Sequence, residues 1–154
     1  MLHPEPAVQT LLSAPSAQGN SPPNYVRYVP WAAQILVALI LAQTLFFKFT
    51  YAPETQVIFG TRGGRPAATG VGMVELLCVV LLLIPRTAAS GALLSLLVIS
   101  GAIFTHLTSL GVQIIDPVTR KGDGGLLFFL ACVVALGSLL ILAFRWRELP
   151  LLRR

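Results

Sequence analysis

The stretch VGMVELLCVVLLLIP, residues 71–85, contains one glutamate, Glu75, in a run that is otherwise apolar. If this run belongs to a membrane span that covers 67–84, Glu75 lies roughly 12 Å below the surface where the span begins, at ~1.5 Å per residue. A carboxylate at that depth costs at least ~2.5 kcal/mol. It must be protonated, paired with a cation or hydrated inside the protein. The stretch therefore predicts a transmembrane helix and a partner for its glutamate.

The rest of the chain has the composition of a polytopic membrane protein. Of its 154 residues, 55% are hydrophobic and 11% are charged, and the mean hydropathy is +0.79. Soluble domains carry about 25% charged residues, so the chain lies outside that class. Its long apolar segments are each sufficient to cross a hydrocarbon core. The expected spans are 31–51, 67–84, 88–110 and 124–144.

Short connections between these spans favour an up-down-up-down arrangement. We expect an all-α fold, a transmembrane four-helix bundle, within a membrane domain that covers 25–147. The segment 1–24 contains five prolines and no basic residue, which predicts a disordered N-terminal tail. A basic C-terminal tail is expected at 148–154. After the first span, Pro53 followed by Glu54 predicts the start of a short interfacial helix.

Polar side chains are concentrated at one end of the predicted bundle. Lys48 is near the end of the first span, His106 is near the end of the third, and Asp123 directly precedes the fourth. Because successive spans alternate in direction, these residues and Glu75 converge in one leaflet. Glu54 lies just outside the same face. The candidate ligand-binding residues are therefore Lys48, Glu75, His106, Asp123, Glu54 and, nearer the middle of the first span, Gln43.

This set of side chains suits the polar head of a lipophilic ligand. A pair between Lys48 and Glu75 would neutralise the buried charge, and the imidazole of His106 can accept or release a proton near neutral pH. An apolar cavity with a few convergent polar groups is typical of small-molecule sites, and a quinone is the ligand that we consider. We expect no metal site, because the only other histidine is His3 in the tail.

Each of these residues also has a purely structural interpretation. A lysine at position 48 can extend its ammonium group to the membrane interface. Asp123 can serve only as a helix N-cap, and His106 can be a neutral, hydrogen-bonded interfacial residue. Glu75 can be bonded to a neighbouring helix without any further role. The sequence leaves these alternatives open.

The positive charge of the chain indicates contact with a bilayer rather than with nucleic acid. The chain has 11 basic and 6 acidic residues, a formal net charge of +5. Its basic residues occur singly or in pairs beside apolar segments, which is the pattern of topological anchors. Six of them lie on the side of the two termini and five on the opposite side. This bias favours a cytoplasmic location for both termini.

Four segments, taken in order, resemble the DoxX-like family of small four-helix membrane proteins. They are LAQTLFFKF at 41–49, GVGMVELLCVVLLLIPRT at 70–87, SGAIFTHL at 100–107 and KGDGGLLFFLA at 121–131. The resemblance extends over about 31–147. It implies a multi-pass protein of the bacterial inner membrane and a loose association with membrane redox systems. It also implies subunits of a membrane redox complex as partners. Besides the lipid bilayer, the other partner that we consider is a further copy of this chain.

These observations lead to one functional hypothesis and two alternatives. The hypothesis is an accessory, non-catalytic subunit of a quinone-linked membrane redox system. In it, Lys48 and Glu75 form the buried pair, and His106 with Asp123 controls proton passage at the mouth of the pocket. The first alternative is a transporter for a small solute that acts as an oligomer. The second is a structural partner or scaffold without an activity of its own.

Overall fold

The computed structural model describes residues 25–116 and 120–149, with only the backbone at 25–27. The described chain forms five α-helices, which we number in order along the chain. They are α1 (Tyr25–Thr50), α2 (Pro53–Phe59), α3 (Gly64–Leu83), α4 (Ala88–Thr105) and α5 (Leu126–Arg145). A π-helical turn, His106–Leu110, extends α4, and a 3-10 turn, Trp146–Glu148, follows α5. The tail predicted at 1–24, and residues 150–154 of the tail predicted at 148–154, lie outside these ranges.

Four of the helices form a closed bundle that confirms the predicted fold. The helices α1, α3, α4 with its π turn, and α5 are each long and apolar enough to cross a membrane. Each packs against two others, so that α1 and α4 both contact α3 and α5. The edge between α3 and α4 therefore lies opposite the edge between α1 and α5. The buried core includes Val37, Leu41, Leu82, Val134 and Ile141.

The outer surface of the bundle is apolar as well. Leu39, Phe46, Leu97 and Leu136 are each more exposed than buried, with Leu136 at 68% exposure. A soluble monomer rarely presents so extensive an apolar surface. These side chains fit the acyl chains of a bilayer, and the chain is a multi-pass membrane protein.

The helix ends differ from the predicted spans by a few residues, for local reasons. The first helix begins at Tyr25 rather than at 31, because Pro30 lies within its opening turns and does not end it. The last long helix begins at Leu126 rather than at 124, because Gly124 and Gly125 have φ values of 66° and 81°. A left-handed backbone cannot continue a right-handed α-helix.

The short helix α2 lies across the end of the bundle that carries the polar residues. It begins with Pro53 at its first turn and Glu54 next to it, as predicted. The Thr55 hydroxyl donates to the Phe47 carbonyl at 3.0 Å, which holds α2 against the end of α1. A left-handed residue, Tyr51 with φ 55°, turns the chain into α2.

One arginine joins the helices at the opposite end of the bundle. The Arg145 guanidinium donates to the Pro85 carbonyl at 2.9 Å and to the Glu148 carboxylate at 3.3 Å. It also lies 5.7 Å from the centroid of the Trp31 ring. These contacts connect the start of α1, the turn between α3 and α4, and the end of α5. We call this end of the bundle, which carries the start of α1 and the end of α5, the terminal face. The Arg145 cation connects three elements there.

We expect Gly91→Ala to destabilise the bundle by about 1–3 kcal/mol, the usual cost of overpacking. A Cβ atom at position 91 would lie 2.7 Å from the Leu82 amide nitrogen and 2.9 Å from the Leu81 carbonyl carbon, and neither backbone can move cheaply. The matched control is Gly101→Ala in the same helix, where an added Cβ meets nothing within 4 Å. Denaturant titration in detergent micelles measures both, and equal stabilities would contradict the close contact between α3 and α4.

Candidate functional site

The glutamate in α3 is paired with the lysine in α1. Lys48 Nζ lies 2.8 Å from Glu75 Oε2, and the two side chains are 15% and 5% exposed. The Thr44 hydroxyl, one turn before Lys48, lies 3.1 Å from the same carboxylate oxygen and 2.8 Å from the Leu41 carbonyl. Residues four apart lie on the same face of a helix, so Thr44 and Lys48 approach Glu75 together. The carboxylate thus receives a cation and shares the single hydroxyl hydrogen of Thr44 with the Leu41 carbonyl.

His106 is buried at the start of the π-helical turn. Its side chain is 4% exposed, and its ring packs edge-on against Phe128 with the centroids 5.6 Å apart. Nδ1 lies 2.9 Å from the carbonyl oxygen of Gly111, where the helix ends with φ 79°. Because a carbonyl only accepts, this bond places the proton on Nδ1 and leaves Nε2 of the neutral ring as an acceptor. The imidazole is therefore fixed in orientation, with Nε2 as its acceptor nitrogen.

Asp123 organises the loop that precedes α5. Its Oδ1 accepts from the backbone N–H groups of Ile114 at 2.8 Å and Gly125 at 3.0 Å, and its Oδ2 accepts from Leu127 N–H at 3.1 Å. Burial alone would raise the pKa of this carboxyl, but the three N–H donors and the nearby His106 outweigh it and hold the pKa below its usual value. These three bonds support the capping interpretation of Asp123.

A groove between α3 and α4 is a large cavity in the described part of the bundle. It has a volume of ≈ 540 Å³, and we call it the α3–α4 groove. Its walls include Gly70, Val74, Leu97 and Gly101, which are all exposed on the outside of the bundle. Its polar lining consists of Lys48, Glu75, His106, Arg62 and Thr105. The groove is thus an apolar surface channel with the buried ion pair along its inner side.

Two smaller cavities lie beyond the ion pair. The α1–α5 cavity, of ≈ 150 Å³, is bounded by α1, α2 and the start of α5, and Gln43, Glu54 and Asp123 line it together with Lys48. The interior cavity, of ≈ 90 Å³, is lined by side chains of the four long helices. Its polar lining consists of Thr44, Lys48, Glu75 and His106. All three cavities include Lys48 in their lining.

The structure thus divides the six predicted residues into two groups that meet at Lys48. Glu75 and His106 lie on the side of the α3–α4 groove. Gln43, Glu54 and Asp123 lie on the side of the α1–α5 cavity.

Sequence reasoning missed several residues that shape the site. Thr44 could have been found from the sequence, because it lies four residues before Lys48 on the same face of the helix. A side chain on that face can also reach Glu75, the predicted partner of Lys48. Gly70 and Gly101 carry no such signal, because their contribution is the space that their missing side chains leave in the groove wall. Ile58 of α2 lines all three cavities and gave no signal either.

No group of three or more His, Cys, Asp or Glu side chains is placed to hold a metal ion within 25–116 and 120–149. Comparison of the chain with protein-family models, curated proteins and solved structures finds no match. The candidate site is therefore defined by the geometry of its own residues.

Removing one partner of the ion pair should cost more than removing both. We expect Lys48→Met to destabilise the protein by about 3–5 kcal/mol, because it leaves the Glu75 carboxylate buried without a cation. The double variant Lys48→Met/Glu75→Leu should recover most of that loss, since an apolar pair of similar volume often replaces a buried ion pair at little cost. Free energies of unfolding in micelles measure the coupling. Arg65→Met, at an exposed basic residue of α3, is the control, and additive losses at 48 and 75 would contradict the pairing.

Asp123→Asn should loosen the loop before α5. We expect faster amide hydrogen exchange at Ile114, Gly125 and Leu127, because the ionised acceptor of their bonds is lost. Since folding lowers the pKa of Asp123, its stabilisation is present above the unfolded pKa of about 3.9 and is lost as the pH falls through the folded pKa. The wild type should therefore show an acid-dependent rise in exchange at these amides, which Asp123→Asn lacks and Glu54→Gln retains. An identical acid response in all three proteins would contradict this assignment.

Proposed function

We propose that this protein binds a lipid-soluble small molecule with a quinone-like polar head in the α3–α4 groove. We further propose that it acts as an accessory subunit of a membrane redox system. The observation that carries the proposal is the position of the Lys48–Glu75 pair along the inner side of a groove whose outer walls face the bilayer.

The size and lining of the groove support a lipophilic ligand. Its volume of ≈ 540 Å³ falls within the range of about 300–1,000 Å³ that small-molecule sites occupy. The exposed walls at Val74 and Leu97 offer apolar contact for a tail. Gly70 and Gly101 leave open space beside them, since an added Cβ at either position meets nothing within 4 Å. A molecule dissolved in the bilayer can enter such a groove from the side without crossing water.

The polar groups suit both oxidation states of a quinone head. The carbonyl oxygens of a quinone need donors, and the Lys48 ammonium supplies them. The hydroxyl groups of the reduced form need acceptors, and the Glu75 carboxylate supplies two oxygens. His106, with Nδ1 committed to Gly111, presents a ring that can accept a proton at Nε2. The site therefore combines a donor, an acceptor and a proton-exchanging group within one cavity lining.

The redox association rests on the resemblance to the DoxX-like family, which places such proteins in bacterial inner membranes. The accessory role rests on the cysteines of this chain. Cys78 and Cys132 are both unpaired thiols and stand on separate helices, so they form no dithiol that could carry electrons. Electrons for a bound quinone would come from a partner protein.

Filling the groove should weaken ligand binding without unfolding the protein. We expect Gly101→Leu to weaken binding of decylubiquinone in nanodiscs by at least about tenfold, a loss of ~1.4 kcal/mol, because the new side chain occupies the space of the ligand. Ser100→Leu is the matched control, since Ser100 is exposed next to Gly101 and does not line the groove. Glu75→Gln should weaken binding through the head group. Folded Gly101→Leu and Glu75→Gln proteins with wild-type affinity would rule out this site.

A further inference from the structure

The three cavities form a series across the bundle. The α1–α5 cavity and the interior cavity share Thr44, Leu127 and Leu130. The interior cavity and the α3–α4 groove share Glu75 and His106, with Ala102. Lys48 and Ile58 belong to all three linings. The ion pair therefore stands between two openings on opposite edges of the bundle, with α2 across them.

The two openings face different surroundings. The walls of the α3–α4 groove at Val74, Leu97 and Gly101 lie within the membrane-spanning segments, where lipid is the neighbour. The lining of the α1–α5 cavity includes Glu54 and Asp123, which both lie outside those segments. Charged residues at such a boundary are hydrated. The groove also reaches this boundary, at Arg62, but its walls along α3 and α4 open to lipid. The α1–α5 cavity reaches the boundary with two carboxylates instead.

We propose that the α1–α5 cavity is a water-access route through which the Lys48–Glu75 pair exchanges protons with the aqueous phase. Water would enter past Glu54 and Asp123 and reach Lys48 along Leu127 and Leu130. This inference goes beyond ligand binding, because it assigns a separate site with water and protons as its occupants.

The charges around the pair fit this assignment. Four other charged or titratable groups line the cavities beside the pair: Glu54 from α2, Arg62 after α2, His106 after α4, and Asp123 before α5. The two carboxylates on the α1–α5 side favour cations and hydronium ions at that opening. Asp123 stays ionised there, because folding lowers its pKa. The α3–α4 groove carries Arg62 instead and lacks this acidic entrance.

The route ends inside the bundle. The interior cavity is closed on its far side by side chains of the apolar core, namely Ile40, Leu41, Ile99 and Val134. No polar side chain continues its lining beyond Thr44 in the described chain. Water and protons would therefore reach the pair from one face of the membrane only, the face that carries α2.

Thiol accessibility tests the route. In a background with Cys78→Ala and Cys132→Ala, single cysteines would replace Leu127 and Leu130, which line the cavity, and Phe129, which is 62% exposed on the same helix. Only a thiolate in contact with water reacts with the membrane-impermeant cationic reagent MTSET. We expect Leu127→Cys and Leu130→Cys to react at least about tenfold faster than Phe129→Cys in proteoliposomes. Equal rates in the three folded variants would overturn the proposal.

The acidic entrance provides a second readout. Adding Glu54→Lys to Leu130→Cys should slow labelling by cationic MTSET and speed labelling by anionic MTSES, because the charge at the entrance is reversed. A purely structural role of Glu54 would change both rates in the same direction, which would also overturn the proposal. Should the cysteine variants fail to fold, exchange of Lys48 ammonium protons with water is measured by NMR on the wild type. Exchange as slow as that of core amides would refute the route. Neither test uses decylubiquinone, so their outcome is independent of whether the α3–α4 groove binds a quinone.

Discussion

The low dielectric around Glu75 is the constraint on which the rest of the site depends. An ionised carboxyl group in the interior of a membrane bundle loses the solvation that water would give it, so the protein must supply a cation, donors or water. Here the cation is Lys48 and the donor is Thr44, both from α1. The pair and the Thr44 hydroxyl thus connect α1 to α3.

The two ends of the bundle are built for different purposes. At the terminal face, Arg145 joins three elements, and Gly91 lets the backbone of α4 approach that of α3 closely. At the opposite face, α2 and the loop held by Asp123 leave space, and the three cavities lie beneath them. The end with cavities offers room for a ligand and for water. The lipid-exposed glycines in the groove wall, Gly70 and Gly101, lie at this end with cavities.

Much of the fold was predictable because its signals are local. The four spans follow from the length of apolar segments, and the start of α2 follows from Pro53, whose fixed φ suits a first helical turn. The meeting of Lys48 and Glu75 was also predictable, since alternating spans bring both into one leaflet. The separation of Asp123 from Glu75 was not. It depends on a bond to Ile114, nine residues earlier, and on the loop conformation that brings the two together.

The sequence by itself determined that this chain crosses the membrane as four helices and that its buried acid needs a partner. Both results follow from the free-energy cost of leaving charges or backbone polar groups without partners in hydrocarbon. This cost applies to each segment separately, so it can be recognised in the sequence of that segment alone. Only the tertiary structure decided that the polar residues divide into two groups around Lys48, and that space remains on either side of it. Cavities and side-chain contacts depend on how helices distant in sequence are staggered and tilted, and no single segment contains that information.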